Sequence, residues 1–367
     1  MMRLITTLYC ALLTLVVCAG DLSHAQGGKW DIVSLQGVDY VKMRDVCSFY
    51  RFAPCKGKEG CLSYGAGNRV ISVRPNRQDF YVNNFRYVLS YPVISTGGDL
   101  LISAIDMKKL VDPVLRPRFS TESGIVRTVV IDPGHGGHDA GAVSAWVKEK
   151  DCNLAVAHKL RRKLESLGYK VVMTREDDRF LTLQQRVNIA NQVPNSIFIS
   201  IHHNSGRSAA TGIETFTLAP QGTTSPFART RRYAELAGNN QDSENIALAT
   251  SVHSRAIRNT GAIDRGIQRA RFSVLCTIQR PAILFEGGFV SNAREGRLIA
   301  SSDYQDKLAE SICDGVVSYS AVIGRQQVRP TNKSSIGAAR RSSGIRATSK
   351  NSTRLRSRGN YSGASRM

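Results

Sequence analysis

The stretch Thr128-Val-Val-Ile-Asp-Pro-Gly-His-Gly-Gly-His-Asp139 changes character within a few residues. Four β-favouring residues stop at Asp132, and a Pro-Gly-His-Gly-Gly turn follows. A strand ending in glycines around a histidine delivers an imidazole to the carboxyl edge of a sheet, where α/β proteins bind their ligands. From Ile125 onward the hydrophobic period alternates between strand and helix, as it does in a parallel sheet covered on both faces. Strands are expected at 128–132, 169–174, 196–202, 212–218, 272–278 and 282–286. Helices are expected at 150–167, with Leu154, Ala157, Leu160 and Leu164 on one face and Gly168 as the stop, and at 243–259 and 304–323. Thr182-Leu-Gln-Gln185 reads as a capping box opening a further helix. The expected fold is α/β: a mostly parallel sheet covered by helices on both faces, preceded by a small α+β domain.

That preceding domain is read over residues 28–118. Its strands are short, and Asn83-Asn84 between Asp79–Val82 and Phe85–Leu89 tolerates left-handed backbone and favours a hairpin. A helix is expected over 101–111, closed by Pro113. No titratable groups converge there, so it reads as a binding or spacer module. Ahead of it, Arg3, the apolar run Leu4–Ala19 and Ser23-His24-Ala25 read as a signal peptide cleaved after residue 25. The run is shorter than the roughly 20 apolar residues of a membrane span. The expectation is an exported protein, periplasmic or extracellular, with no transmembrane segment in its mature chain. Val before Cys18 speaks against lipid attachment.

Six cysteines remain in the mature chain. In an oxidising compartment Cys47, Cys55 and Cys61 lie close enough along the chain that one disulfide could form among them and leave one thiol over, and Cys152, Cys276 and Cys313 read as buried free thiols. The 367-residue chain carries a net charge of +21, and residues 325–367 supply eleven Lys or Arg with no acid. Residues 324–367 are too poor in large apolar side chains to offset chain entropy and read as a disordered basic tail. Such a tail suits an anionic polymer such as cell-wall glycan, lipid headgroups or nucleic acid. It lacks interleaved aromatic residues apart from Tyr361, so no dedicated nucleic-acid site is expected.

Four chemical features fall at strand ends or just after them: His135; Glu149 opening the first helix; His202-His203 ending the strand over 196–202; and Glu286 before Gly287-Gly288. In a parallel sheet these ends share one edge, so residues 150 positions apart can meet. Two imidazoles and a carboxylate are the ligand set of a hydrolytic zinc site whose fourth position is left for water. A second carboxylate must take the water's proton, and Glu286 is placed for it. Taken singly the features are ordinary: a histidine after a glycine turn is more often structural, and a glutamate in a first helical turn favours the helix dipole. Their common edge is what points to a zinc hydrolase. His138, His158 and His253 are assigned to solvent or helix surfaces.

Several segments in order resemble the zinc-dependent N-acetylmuramoyl-L-alanine amidases of bacterial cell-wall turnover. They are Val129-Val-Ile-Asp-Pro-Gly-His-Gly-Gly137, Lys148-Glu-Lys-Asp-Cys-Asn-Leu-Ala155, Val171-Val-Met-Thr-Arg175, Arg186-Val-Asn-Ile-Ala-Asn191, Ile199-Ser-Ile-His202 with Asn204, Gly212-Ile-Glu-Thr215, and Phe285-Glu-Gly-Gly-Phe-Val-Ser-Asn292. The resemblance covers about residues 126–322, within a catalytic domain over 126–323. It implies Zn2+ held by His135, Glu149 and His202, with Glu286 as the catalytic carboxylate. It implies peptidoglycan as substrate and, as reaction, hydrolysis of the amide between N-acetylmuramic acid and L-alanine. Two positions depart from the family pattern: His203 stands where a small residue is common and Gly287 where Leu is usual. Residues 28–118 more faintly resemble the stalk domains related to the amine-oxidase N-terminal module. The polar connection 219–242, with Arg229, Arg231 and Arg232, reads as a substrate-lining loop, in place of the autoinhibitory insertion some relatives carry. A different zinc peptidase of wall peptides and a non-catalytic wall- or polyanion-binding protein are the alternatives.

Overall fold

The computed structural model describes residues 30–117, 125–226 and 232–324. The expected signal peptide, the basic tail beyond Gly324, and Arg229 and Arg231 lie outside the described residues.

The strands among them are β1 (Ile32–Leu35), β2 (Val38–Lys42), β3 (Ala53–Pro54), β4 (Leu62–Ala66), β5 (Arg69–Val73), β6 (Asp79–Val82), β7 (Phe85–Val88), β8 (Ile94–Thr96), β9 (Asp99–Ser103), β10 (Thr128–Pro133), β11 (Lys170–Met173), β12 (Ser196–Asn204), β13 (Ile213–Leu218), β14 (Asp264–Ala270) and β15 (Ala282–Phe289). A four-stranded sheet has the order β1-β2-β9-β8, and an eleven-stranded sheet runs β11-β10-β12-β15-β13-β14-β7-β6-β5-β4-β3. Strands β11, β10, β12 and β15 are parallel to their neighbours, and β13 then pairs antiparallel with β15. Strand β14 is parallel to β13. The carboxyl ends of β10, β12 and β15 therefore share an edge with the amino ends of β13 and β14.

All six residues of β10 are buried, as expected of a strand covered on both faces. Side chains alternate across a strand, and here each set meets its own core. Val129 and Ile131 join Ile197, Ile199, Leu160, Leu164, Val252 and Leu308, while Val130 joins Phe198, Val187, Ala190, Val274 and Leu275. The helices Glu149–Ser166, Asp242–Thr260 and Ser302–Gly324 thus line one face, and Leu183–Asn191 with Ser273–Cys276 the other. The capping box forms: Thr182 Oγ1 accepts from the Gln185 amide at 3.2 Å and Gln185 Oε1 from the Thr182 amide at 2.8 Å.

Three expected elements differ. The strand over 272–278 is instead a short helix, Ser273–Cys276, and β14 lies earlier, at Asp264–Ala270. The apolar run 274–278 fits either period, while Arg265, Gln268 and Arg269 gave β14 a polar look that pairing and ion contacts override. Leu101 to Ser103 belong to β9, and the helical stretch over 104–115 continues through Pro113. Pro113 donates no amide within this stretch, and the Lys109 carbonyl four residues earlier accepts instead from Arg269. The final helix extends over Ser302–Gly324 after a separate Ala293–Ala300. Among the described residues Cys47, Cys55 and Cys61 are free thiols, Cys152 and Cys313 are buried as expected, and Cys276 is only half-buried. No helix of the described residues is long and apolar enough to cross a membrane.

Strand β7 meets β14 at Tyr87 and Ile267. Around that junction the Arg86 amide donates to Asp264 at 2.9 Å, Arg86 Nη1 to the Arg265 carbonyl at 2.6 Å, and Tyr91 to the Gly222 carbonyl at 2.7 Å. Buried Arg269 pairs with Asp106 at 3.2 Å, and Lys109 pairs with Asp242 at 2.9 Å. These contacts fasten the amino-terminal strands along β14, with β13 and β14 between them and β15.

The turn after β10 is fastened from beneath. Asp132, 1% exposed, pairs with Arg186, 3% exposed, at 2.8 Å. It also accepts from Thr174 at 2.6 Å and Ser200 at 2.8 Å. Arg186→Leu would leave that carboxylate buried without its cation, a change that costs about 3–5 kcal/mol. Urea unfolding should show the loss. A loss under about 1 kcal/mol would mean that the two hydroxyls hold Asp132 without the guanidinium.

Candidate metal centre

His135, Glu149 and His202 converge. One ligand atom from each lies within 4.8 Å of the others. His135 Nε2 is 3.1 Å and His202 Nδ1 2.9 Å from the same Glu149 oxygen, Oε1. The two rings stand nearly perpendicular, at 77°, with centroids 4.9 Å apart.

Each ligand-type side chain has its own support. His135 is in the left-handed region at φ 61°, a conformation uncommon outside glycine that is kept where surroundings fix it. The fixing groups are two arginines. Arg175, fully buried, donates to the carbonyls of Pro133 at 3.0 Å, Gly134 at 2.9 Å and Lys150 at 2.8 Å. Arg186 donates to the carbonyls of Pro133 and His135, each at 2.7 Å. Asp139 meets the far nitrogen of His135, Nδ1, at 2.8 Å, which orients the ring. Glu149 is 4% exposed at the first turn of Glu149–Ser166, and its Oε2 accepts from the Ala142 amide at 2.9 Å. Two glycines leave the room these rings need. A Cβ on Gly134 would lie 2.1 Å from His202 Cε1, and one on Gly141 would lie 2.6 Å from both Glu149 Oε2 and His135 Cδ2.

Glu286 is the registered neighbour of His202 on β15, so both side chains leave the sheet on one face. On its other side it is paired in register with Glu214 of β13. Glu214 is occupied by Arg265 at 2.6 Å, Gln268 at 3.0 Å and Asn204 at 2.7 Å. Glu286 Oε2, by contrast, is buried with no hydrogen-bond partner. Burial, reinforced by the charges of Glu149 and Glu214, pushes the Glu286 carboxyl well above the usual range. Burial also works against an ionised Glu149, but hydrogen bonds and charge from His135 and His202 outweigh it and hold that carboxyl far below its ordinary value. The site thus sets one carboxyl held toward its charged form beside another whose ionisation burial disfavours, the pattern of a ligand beside an acid–base group.

His203 is not part of the cluster. It is 1% exposed, burial pushes its pKa down to about 4, and its Nδ1 lies 2.8 Å from Asn153 Oδ1. His138 is exposed against Phe180, with ring centroids 4.1 Å apart, and His158 lies on its helix surface, 3.0 Å from the Glu176 carbonyl. His253 is a correction: expected on a surface, it is fully buried between Thr215 at 3.0 Å and Asp264 at 2.9 Å. Its helix has a wide apolar face, and two polar partners satisfy the imidazole inside it. Asn153, Arg175, Arg186 and Glu214 sit within the matching sequence segments, yet nothing in their spacing told of their contacts. An arginine following an apolar strand was the available signal.

A family model described as N-acetylmuramoyl-L-alanine amidase (Amidase_3) matches residues 129–318, just over half of the chain. YqiI, an uncharacterized protein of Bacillus subtilis, is 36% identical over 193 residues, 53% of this chain and 84% of YqiI. The N-acetylmuramoyl-L-alanine amidase LytC of B. subtilis is 32% identical over 234 residues, 62% of this chain and 43% of LytC, so the match spans less than half of that relative. The N-acetylmuramoyl-L-alanine amidase AmiA of Escherichia coli K12 is 33% identical over 224 residues, 54% of this chain and 78% of AmiA. The stretch matched by the family model contains the whole His135–Glu149–His202 cluster and Glu286, and on that match the chain belongs to the N-acetylmuramoyl-L-alanine amidase family.

Proposed function

We propose that this chain is a zinc-dependent N-acetylmuramoyl-L-alanine amidase, hydrolysing the amide between N-acetylmuramic acid and the L-alanine of a peptidoglycan stem peptide. The observation that carries the reading is a His–Glu–His cluster with a buried, unpartnered carboxylate oxygen on the adjoining strand. Two nitrogens and one carboxylate suit zinc, whereas magnesium and calcium prefer sites built of oxygen. His135, Glu149 and His202 would hold the ion, which supplies Lewis-acid chemistry, polarising the amide carbonyl and acidifying water. Glu286 takes the proton of the attacking water and delivers it to the leaving alanine nitrogen. Its raised pKa serves that second task, because a carboxyl reluctant to ionise keeps the proton until the amine departs.

The remaining chain fits this use. Residues 126–323 form the catalytic unit in this reading, and 28–118 a positioning or glycan-binding module. The leading segment 1–25 directs export to the periplasm or cell exterior. Its basic tail tethers the enzyme to an anionic polymer of the envelope.

Three outcomes test the proposal. Purified protein should bind one zinc per chain and release stem peptide from soluble muropeptides, with mass spectrometry locating the cut at the lactyl–alanine amide. A cut elsewhere in the peptide would make it a zinc peptidase instead. Glu286→Gln should keep the zinc and lose about 10²–10⁴-fold in rate, whereas His135→Ala or chelation should remove zinc and activity together, with zinc restoring only the chelated wild type. A chain ending at Gly324 should cleave soluble muropeptides normally yet wash off sacculi at lower salt than the full chain; equal retention would leave the tail without a tethering role.

A further inference from the structure

His203 is the buried titratable group that the mechanism above does not use. Strand β12 slips register against β15 between His202 and Asn204, and such irregularities beside active sites re-aim a side chain. Alternation along the strand sends the two adjacent histidines to opposite faces: His202 faces Glu149, and His203 is closed off from solvent.

The hydrogen bonds around His203 have a single consistent direction. Asn153 Nδ2 lies 3.3 Å from the Gly134 carbonyl and 3.3 Å from Glu149 Oε1, both acceptors, so the amide nitrogen must point there. Asn153 Oδ1 then faces His203 Nδ1 at 2.8 Å and accepts its proton. The His203 amide itself donates to Glu149 Oε1 at 3.2 Å. Glu149 Oε1, the oxygen met by both rings of the cluster, is thus gripped by two donors whose positions His203 sets, one directly and one through Asn153. The other imidazole nitrogen, Nε2, is buried without a partner. A Cβ on Gly287 would lie 3.0 Å from it and 2.8 Å from Leu308 Cδ1, so the ring takes up the room a side chain at 287 would need. The two departures from the family pattern are therefore neighbours in space.

We propose that His203 is a positioning residue for the metal centre, holding the Glu149 carboxylate through Asn153 in the orientation that binds the ion, and that Gly287 is the vacancy that admits its ring. This rests on the metal reading of the cluster given above. A partner that orients a metal ligand changes affinity for the ion itself, whereas a side chain that only fills space changes stability.

Zinc dissociation constants from competition with a chromophoric chelator, together with melting temperatures of the zinc-free proteins, separate the two. His203→Ala should melt lower and bind zinc about 10–100-fold more weakly. His203→Asn, which returns an amide donor close to the place of Nδ1, should recover most of that affinity. His203→Ala combined with Gly287→Leu refills the space and should regain melting temperature while zinc binding stays weak. Wild-type affinity in His203→Ala, or its return in the combined variant, would overturn the proposal and leave the zinc site standing. A wild type that binds no zinc would overturn both.

Discussion

Two buried guanidinium groups hold the turn on which the rest of the site depends. Arg175 and Arg186 together accept the task of satisfying the carbonyls of Pro133, Gly134 and His135, three consecutive groups that leave the end of β10 without sheet partners. Buried carbonyls left unpaired are costly, and an arginine fork supplies several donors from one rigid plane. Arg186 is itself balanced by Asp132, at the end of the same strand. The strand end, the turn and the strained backbone at His135 form one hydrogen-bonded unit, so the imidazole is delivered at a fixed angle toward Glu149.

The sheet topology supplies the other half. Parallel pairing of β10, β12 and β15 places His135, His202 and Glu286 on one edge, and the reversal at β13 brings Glu214 to the same edge from the opposite chain direction. Three carboxylates therefore gather in a small volume. Each has a different environment: Glu149 between two imidazoles, Glu214 against Arg265, and Glu286 with a buried oxygen that accepts no hydrogen bond. Like charges so close oppose one another's ionisation, and the effect adds to burial at Glu286, whose carboxyl is pushed well above the usual range. Division of labour between a charged ligand and an acid–base group follows from that placement.

Much of this was legible in the sequence because it depended on local rules. A β run breaking into glycines located His135, helix onset located Glu149, and strand ends located His202 and Glu286. What the sequence hid were contacts made across the fold. His253 reads as a helix-surface residue until Thr215 and Asp264 are seen to satisfy it inside the core. Strand β14 reads as polar because Arg269 and Gln268 find partners at long range, in Asp106 and Glu214. The doubled histidine at 202–203 is ambiguous along the chain, since only the face each residue takes on the strand decides which ring meets Glu149.

The central claim is that His135, Glu149 and His202 hold a zinc ion with Glu286 beside it and outside the coordination shell. An anomalous-difference map at the zinc edge from crystals of the zinc-loaded protein tests it directly. The account predicts one peak about 2.0–2.2 Å from a nitrogen of each histidine and an oxygen of Glu149, with the Glu286 carboxylate free to reach a water in the remaining position. A peak ligated by His203 or Glu286, or located away from this sheet edge, would contradict it.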